Sequence, residues 1–274
     1  MSTVHIRKIP AFALLLALYL GAAPVTRGED PLDLAVKRYR EALKDASPAE
    51  LWVDRGEALF RARRGPKNAS LESCDFGLGP GVVKGAHAQL PRYFADSGKV
   101  EDLESRLITC MALIQGIAAD AFPRHARTDP ERMADFDAIA SYIVSQSNGM
   151  KLAAPLTHQK EIEAYRLGEA LFYRRAGTHD FSCSTCHTQH GKRIRLQKLP
   201  HLTDPTEARE VFPSWPAYRV AAGEVHTMQT WIATCLWQMR FPQVRYGSEA
   251  TVALQVFMAQ QANGGVIAAP SIKR

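Results

Sequence analysis

The sequence lacks an apolar run long enough to span a bilayer. Its one candidate, Ala11 to Leu20 with the small residues that follow, falls short of the roughly 20 residues a membrane-crossing helix needs, so no stable membrane anchor is expected. A lysine- or arginine-rich stripe is also missing, and aromatic residues make up only 8% of the chain. That combination leaves nucleic acid a poor candidate partner. No low-complexity tract suggests a disordered arm, and no convincing run of alternating apolar and polar residues points to a β-sheet core. Only five cysteines occur, too few for a scaffold held together by disulfides, so each needs its own explanation.

What is present begins with a leader. Arg7 and Lys8 precede the apolar run, and Gly21, Ala22 and Ala23 follow it, which is the three-part pattern of a secretory signal peptide. Cleavage is expected after Gly28, since a cut after Ala23 would place Pro24 at the new terminus. Removal of Arg7, Lys8 and Arg27 lowers the formal charge from +6 to +3, so the mature chain is only mildly basic. Export places it in an oxidising compartment, the periplasm, where paired thiols become disulfides.

The remaining 29–274 reads as one pattern written twice. Asp54 to Cys74 matches Arg166 to Cys186 at a constant offset of 112, with Gly-Glu-Ala-Leu-Phe recurring at 56–60 and 168–172. A second block, Leu90 to Cys110, matches Trp215 to Cys235 at an offset of 125, so that Cys110 falls on Cys235. The segments 161–172, 102–115 and 227–239 are apolar-rich and expected to be helical. The pattern predicts an all-α chain of two tandem domains, 29–150 and 151–274, divided near Ser147-Asn148-Gly149.

Cys183-Ser184-Thr185-Cys186-His187 has the spacing for covalent haem attachment. Two thiols reach the vinyl groups on one porphyrin edge while the adjacent histidine turns under the iron, which makes His187 the proximal ligand. A zinc site would need a second Cys/His pair, for which His190 is a weak offer, and a thioredoxin-like site would need a βαβ setting. In the first half the same positions read Leu71-Glu72-Ser73-Cys74-Asp75, with one thiol and no histidine. The two domains are therefore expected to be cytochrome-c-like, and one haem c, held by the C-terminal half, is the expected count. If Cys235 sits on the distal side of that haem, its counterpart Cys110 sits where the missing haem would have been, beside Cys74. A Cys74–Cys110 disulfide filling the vacated space follows. Cys235 is then the unpaired cysteine, either an axial or active-site thiol or a plain buried core residue. Arg193, Arg195, Arg219, Arg240 and Arg245 crowd the same half. Arg219 and Arg240 flank Cys235 in sequence and are the candidates for holding a small dianion, because a guanidinium offers fixed donors to oxyanion oxygens. His190, His201 and His226 remain alternative haem ligands.

Long segments resemble the SoxA family of cytochrome subunits from sulfur-oxidising bacteria. They are GPKNASLESCDFGLGPGVVKGAHAQLPRYF at 65–94, DLESRLITCM at 102–111, DFSCSTCH at 180–187, RIRLQKLP at 193–200, WPAYR at 215–219 and CLWQMRFP at 235–242. The resemblance implies a heterodimer with the small cytochrome SoxX and an enzyme that oxidatively joins thiosulfate to a cysteine of the carrier SoxYZ. It implies haem attachment at Cys183 and Cys186, ligation by His187, and a distal ligand at Cys235 that in the family is often a persulfide. The degenerate site at Cys74 is similar to the one-haem branch. One departure stands out: the family commonly has arginine four residues before the active cysteine, where this chain has Trp231, although the first-half counterpart Arg106 keeps it. A pure electron carrier and a thiosulfate dehydrogenase releasing tetrathionate are the rival functions. A peroxidase is disfavoured because a cysteine on the distal side leaves peroxide no open position.

Overall fold

The computed structural model describes residues 31–42, 47–119, 130–194, 197–242 and 244–273. The expected leader, 1–28, and its cleavage point lie outside the described residues. Helix α1 (Pro31–Ala42) belongs to a unit of its own, and Leu43–Arg274 form a second, compact unit. Among the described residues no helix is long and apolar enough to cross a membrane.

Within the larger unit the sequence repeat is a structural repeat. Helix α2 (Pro48–Arg61) starts where the Ser47 side chain accepts from the Ala49 amide and Pro48 fills the first turn, a position that needs no backbone donor. Its counterpart α5 (Gln159–Tyr173) is opened by a capping box between His158 and Glu161. The first helix packs on α4 (Pro130–Ser145) and the second on α9 (Glu249–Ala262). Both crossings turn on a glycine: a Cβ at Gly56 would stand 1.9 Å from the Ala138 carbonyl oxygen, and one at Gly168 would stand 2.0 Å from that of Ala253. One turn further on, Phe60 meets Tyr142 at 5.5 Å and Phe172 meets Phe257 at 5.0 Å between ring centroids.

The second sequence block folds into a hairpin followed by a helix, again twice. Strands β1 (Arg92–Phe94) and β2 (Lys99–Glu101) pair antiparallel before α3 (Leu103–Cys110). Inside the second half, between its two repeated blocks, a two-strand ribbon, β3 (Arg193–Ile194) with β4 (Gln197–Lys198), precedes α7 (Pro205–Val211). The second hairpin, β5 (Ala217–Arg219) with β6 (Glu224–His226), leads into α8 (Met228–Gln238) and gains a parallel third strand, β7 (Ser271–Lys273). Helices build the cores, as the sequence predicts, but these seven short strands among the described residues correct the all-α expectation. Three residues are too few to show an alternation.

Two hydrophobic cores result. Phe60, Leu71, Phe76, Leu107, Ile139 and Ile143 centre the first; Phe172, Trp215, Ile232, Leu236, Leu254 and Phe257 centre the second. The chain does not respect a clean cut between them, because Tyr246, Ile267 and Ala269 pack into the first core. Asp102, the cap of α3, accepts hydrogen bonds from the side-chain amides of Gln229 on α8 and Gln255 on α9. These buried links tie the halves together.

Candidate functional site

The haem-attachment sequence forms the short helix α6 (Cys183–His187). A turn with Gly177 at φ 73° and Asp180 at φ 50° reverses the chain after α5, and a Ser182–Thr185 capping box then opens α6. This arrangement sets Cys183, Cys186 and His187 on one turn, all partly buried. His187 Nδ1 lies 2.9 Å from the carbonyl oxygen of Pro200. A carbonyl only accepts, so Nδ1 carries the hydrogen and Nε2 is the lone-pair nitrogen, as an iron ligand requires. Burial also lowers the His187 pKa, favouring the neutral ring that ligates metal. The residues present therefore fit a covalently held haem: two unpaired thiols, and an imidazole already oriented from its far side.

Cys235 lies on α8 and packs in the same core as Cys183. Burial pushes its thiol up to about 12, with the charges of Cys183 and Cys186 adding to the shift and Arg219 opposing it. Burial likewise pushes Cys183 up to about 11. Such thiols ionise only when a metal ion or another cation stands beside them.

The first half has turned the equivalent space to structural use. Leu71–Ser73 form a tight 3-10 turn where α6 would begin, and Cys74 is bonded to Cys110 with a Cα separation of 5.7 Å. Asp75, at the position of His187, accepts from the amides of Gly77 and Gly79 at 2.6 and 3.0 Å, closing its own loop.

The arginines separate. Arg219 on β5 is buried, with its Cζ 4.2 Å above the Trp231 ring, and Trp231 shares a face of α8 with Cys235 four residues on. Arg240 follows α8 at φ 57°, and its Cζ lies 4.7 Å from the ring of Trp237. Trp237 is two positions from Cys235, so the helix carries it about 200° round the axis. Its Arg240 neighbour is thus not brought to the thiol. Arg245 is exposed and donates to Ala119 O at 3.3 Å; Arg193 belongs to β3, and Arg195 lies outside the described residues. Of the alternative histidines, His190 Nδ1 is 2.9 Å from Glu207 and His226 Nε2 is 2.9 Å from Glu224, while His201 packs on His190 at 4.4 Å. Sequence reasoning missed the Pro200 carbonyl and the stacking of Trp215 on Trp231 at 5.3 Å. Only the clustering of Trp215 and Trp231 in one repeat block hinted at the second.

The chain is similar to known proteins over both repeats. A model described as the SoxA/TsdA cytochrome c domain matches residues 55–152 and again 167–267. The chain is 47% identical over 272 residues to the L-cysteine S-thiosulfotransferase subunit SoxA of Hydrogenophilus thermoluteolus, covering 98% of this chain and 99% of that protein. A second SoxA subunit, from Hydrogenobacter thermophilus, is 33% identical and covers 98% of this chain and all of its own length. The solved SoxXA from P. pantotrophus superposes with a TM-score of 0.71 at 23% identity, covering 86% of this chain and 84% of that one. The matches extend over both repeats and nearly the whole chain, and on that ground the chain belongs to the SoxA/TsdA cytochrome c family.

Proposed function

We propose that this chain is the catalytic subunit of a periplasmic L-cysteine S-thiosulfotransferase, which joins thiosulfate oxidatively to a cysteine of the SoxYZ carrier in complex with SoxX. The observation that carries the reading is the sharing of one core by Cys235 and Cys183, with His187 already oriented by Pro200, while the first half's cysteines are tied up in a disulfide. In this reading Cys183 and Cys186 would attach one haem c and His187 would ligate it, with Cys235 offered from α8 in the same core. When bound, that group supplies a one-electron acceptor, and the second acceptor on SoxX accounts both for the two-electron stoichiometry and for the heterodimer. Cys235 is the sulfur that holds the substrate. Its thiol and thiosulfate form a sulfur–sulfur bond with loss of one proton and two electrons. A thiolate of the carrier then attacks the thiosulfate-derived sulfur, and Cys235 leaves as thiolate, as in thiol–disulfide exchange. The Cys74–Cys110 disulfide suits an oxidising compartment.

Replacing Cys235 with alanine in the purified complex tests the assignment. Loss of thiosulfate-dependent carrier modification with haem content retained is expected. Unchanged turnover would make Cys235 a ligand only and the chain an electron carrier. Product analysis with and without SoxYZ separates conjugation from tetrathionate release.

A further inference from the structure

The imidazole of His187 is held by a single peptide unit, and that unit is itself held from its far end. The Pro200 carbonyl oxygen that takes the Nδ1 hydrogen at 2.9 Å lies in the same planar unit as the His201 amide. That amide donates to Glu207 Oε2 at 2.8 Å. A chain of hydrogen bonds thus runs from the imidazole through the Pro200–His201 peptide to a carboxylate. A charged acceptor strengthens the bond from the amide, and drawing on the N–H end of a peptide polarises its carbonyl into a better acceptor at the other end. The negative charge reaches His187 without contact between the two side chains.

Glu207 has a shorter bond on offer and does not take it. Asp204 caps α7 by accepting from the amides of Thr206 and Glu207 at 2.9 and 3.1 Å, and Glu207 is the third residue of the helix. A glutamate at that position ordinarily closes a capping box on the amide of the cap residue. Here the Asp204 amide donates to His201 O at 3.2 Å, and the carboxylate reaches past it to the His201 amide. His190 Nδ1 occupies Oε1 at 2.9 Å, which leaves Oε2 for that amide. Burial by itself would raise the Glu207 pKa, but the bonds from His190 and the His201 amide outweigh it and hold the carboxyl below its usual value, so the group is ionised at neutral pH. Its helix is anchored: Ala208 is buried in the second core, and Arg209 Nε donates to Asn263 O at 2.9 Å. The turn it acts on is pinned at both ends, by Leu199 N to Lys192 O at 2.8 Å and by Leu202 N to His187 O at 2.9 Å. Across this stretch the offset between the repeats rises from 112 to 125, and among the described residues the first half passes from Asp75 to the 3-10 turn Ala86–Gln89 with no helix between. Helix α7 stands where there is a histidine to hold and is missing where an aspartate replaces it.

We propose that Glu207 is a positioning residue for His187, acting through the Pro200–His201 peptide to orient the imidazole and to strengthen its donation to the iron of the attached haem. The proposal rests on the haem assignment above and goes further by naming the charge that stands behind the ligand. A more strongly donating imidazole favours the oxidised iron, so Glu207 makes the haem harder to reduce.

The test removes the charge and keeps the bonds. The haem-loaded full-length chain is titrated against redox mediators, following haem absorption, and exchange of the His201 amide is followed by deuterium uptake. Glu207→Gln still accepts from that amide through its side-chain carbonyl, while His190 changes tautomer to accept from the new NH2 group. It is expected to shift the reduction equilibrium at least twofold towards the reduced form with His201 exchange close to wild type. Glu207→Ala, which loses the bond as well, should shift the equilibrium in the same direction and speed His201 exchange at least tenfold. Asp204→Asn removes a neighbouring carboxylate that touches the α7 amides and not the Pro200–His201 peptide, and should shift the equilibrium less than Glu207→Gln does. A shift below twofold in Glu207→Gln, or one matched by Asp204→Asn, overturns the relay: in the first case Glu207 is a structural clamp only, in the second it acts as any nearby charge. Should Glu207→Gln fail to fold, Glu207→Asp, which keeps the charge on a shorter stem, decides: it is expected to stay nearer wild type than Glu207→Ala, and a shift as large as that of Glu207→Ala overturns the proposal. A wild-type chain whose intact mass shows no haem on Cys183 and Cys186 overturns the haem assignment itself and the proposal with it, and is told apart by the mass alone.

Discussion

Gly168 on α5 approaches Ala253 on α9 so closely that a Cβ there would stand 2.0 Å from the Ala253 carbonyl oxygen. The helices can cross at this depth only without a side chain. Alanine is favoured over glycine by about 1 kcal/mol in a helix, whereas forcing a methyl group into a filled contact costs about 3 kcal/mol. The steric term wins. Gly168→Ala is expected to lower Tm by roughly 5 °C in a thermal melt, and Gly56→Ala, against Ala138 at 1.9 Å, should do the same. An unchanged or raised Tm would show that the crossing relaxes freely.

That glycine was legible as part of a repeated Gly-Glu-Ala-Leu-Phe segment, but its reason was not, since the partner lies 85 residues away on a helix whose sequence carries no matching signature. The haem-attachment turn and the cysteine pairing could be read because both are local or follow from register. The hairpins escaped notice for want of length, although Pro91, Tyr93 and Gly98 recurring at Pro216, Tyr218 and Gly223 marked their place. The exchange of Arg106 and Phe94 for Trp231 and Arg219 could not be read at all. Two differences twelve residues apart become one relationship only when the fold shows that the strand residue lies over the helix residue.

The disulfide between Cys74 and Cys110 closes a loop of sequence separation 36 in a core that holds both residues at 3% exposure or less. Chain entropy for a loop of that size is worth about 3–4 kcal/mol. Replacing both cysteines with serine should lower the urea midpoint accordingly, while haem per chain and its absorption spectrum stay as in wild type. Loss of haem in that variant would show that the first half helps to hold the cofactor.

Glu104 is buried where the halves meet, with Oε1 accepting from the Gln229 amide at 3.2 Å. Burial, reinforced by the charge of Asp102, raises its pKa from 4.5 to about 8, and burial also raises Asp102 and Asp137. A carboxyl whose folded pKa is raised keeps its proton where the unfolded chain has lost it. Its contribution is therefore complete below about pH 4.5 and declines as pH rises towards 8. Urea unfolding from pH 5 to 9 should show stability falling over this window, and Glu104→Gln should flatten the fall and leave the variant more stable than wild type at pH 8. One pKa unit amounts to about 1.4 kcal/mol, so the slope is measurable. Identical pH profiles would mean that the carboxyl ionises inside the fold.

Arg240 separates the contribution of its backbone from that of its side chain. Its φ of 57° is a left-handed conformation that costs a non-glycine residue about 1 kcal/mol. Its carbonyl oxygen lies where a Cβ on Gly177 would meet it at 2.6 Å, so the conformation is fixed by the turn ahead of α6. The side chain contributes about 0.5–1 kcal/mol through its stacking on the exposed Trp237 ring. Arg240→Ala removes the stacking and keeps the strain, and should cost that amount. Arg240→Gly loses the stacking but relieves the strain, so its Tm should stay near wild type. Neither change reaches the Cys235 face of α8, and the KM for thiosulfate is expected to stay within twofold in both. A tenfold rise shared by the two variants would mean that the guanidinium swings off Trp237 to meet the anion.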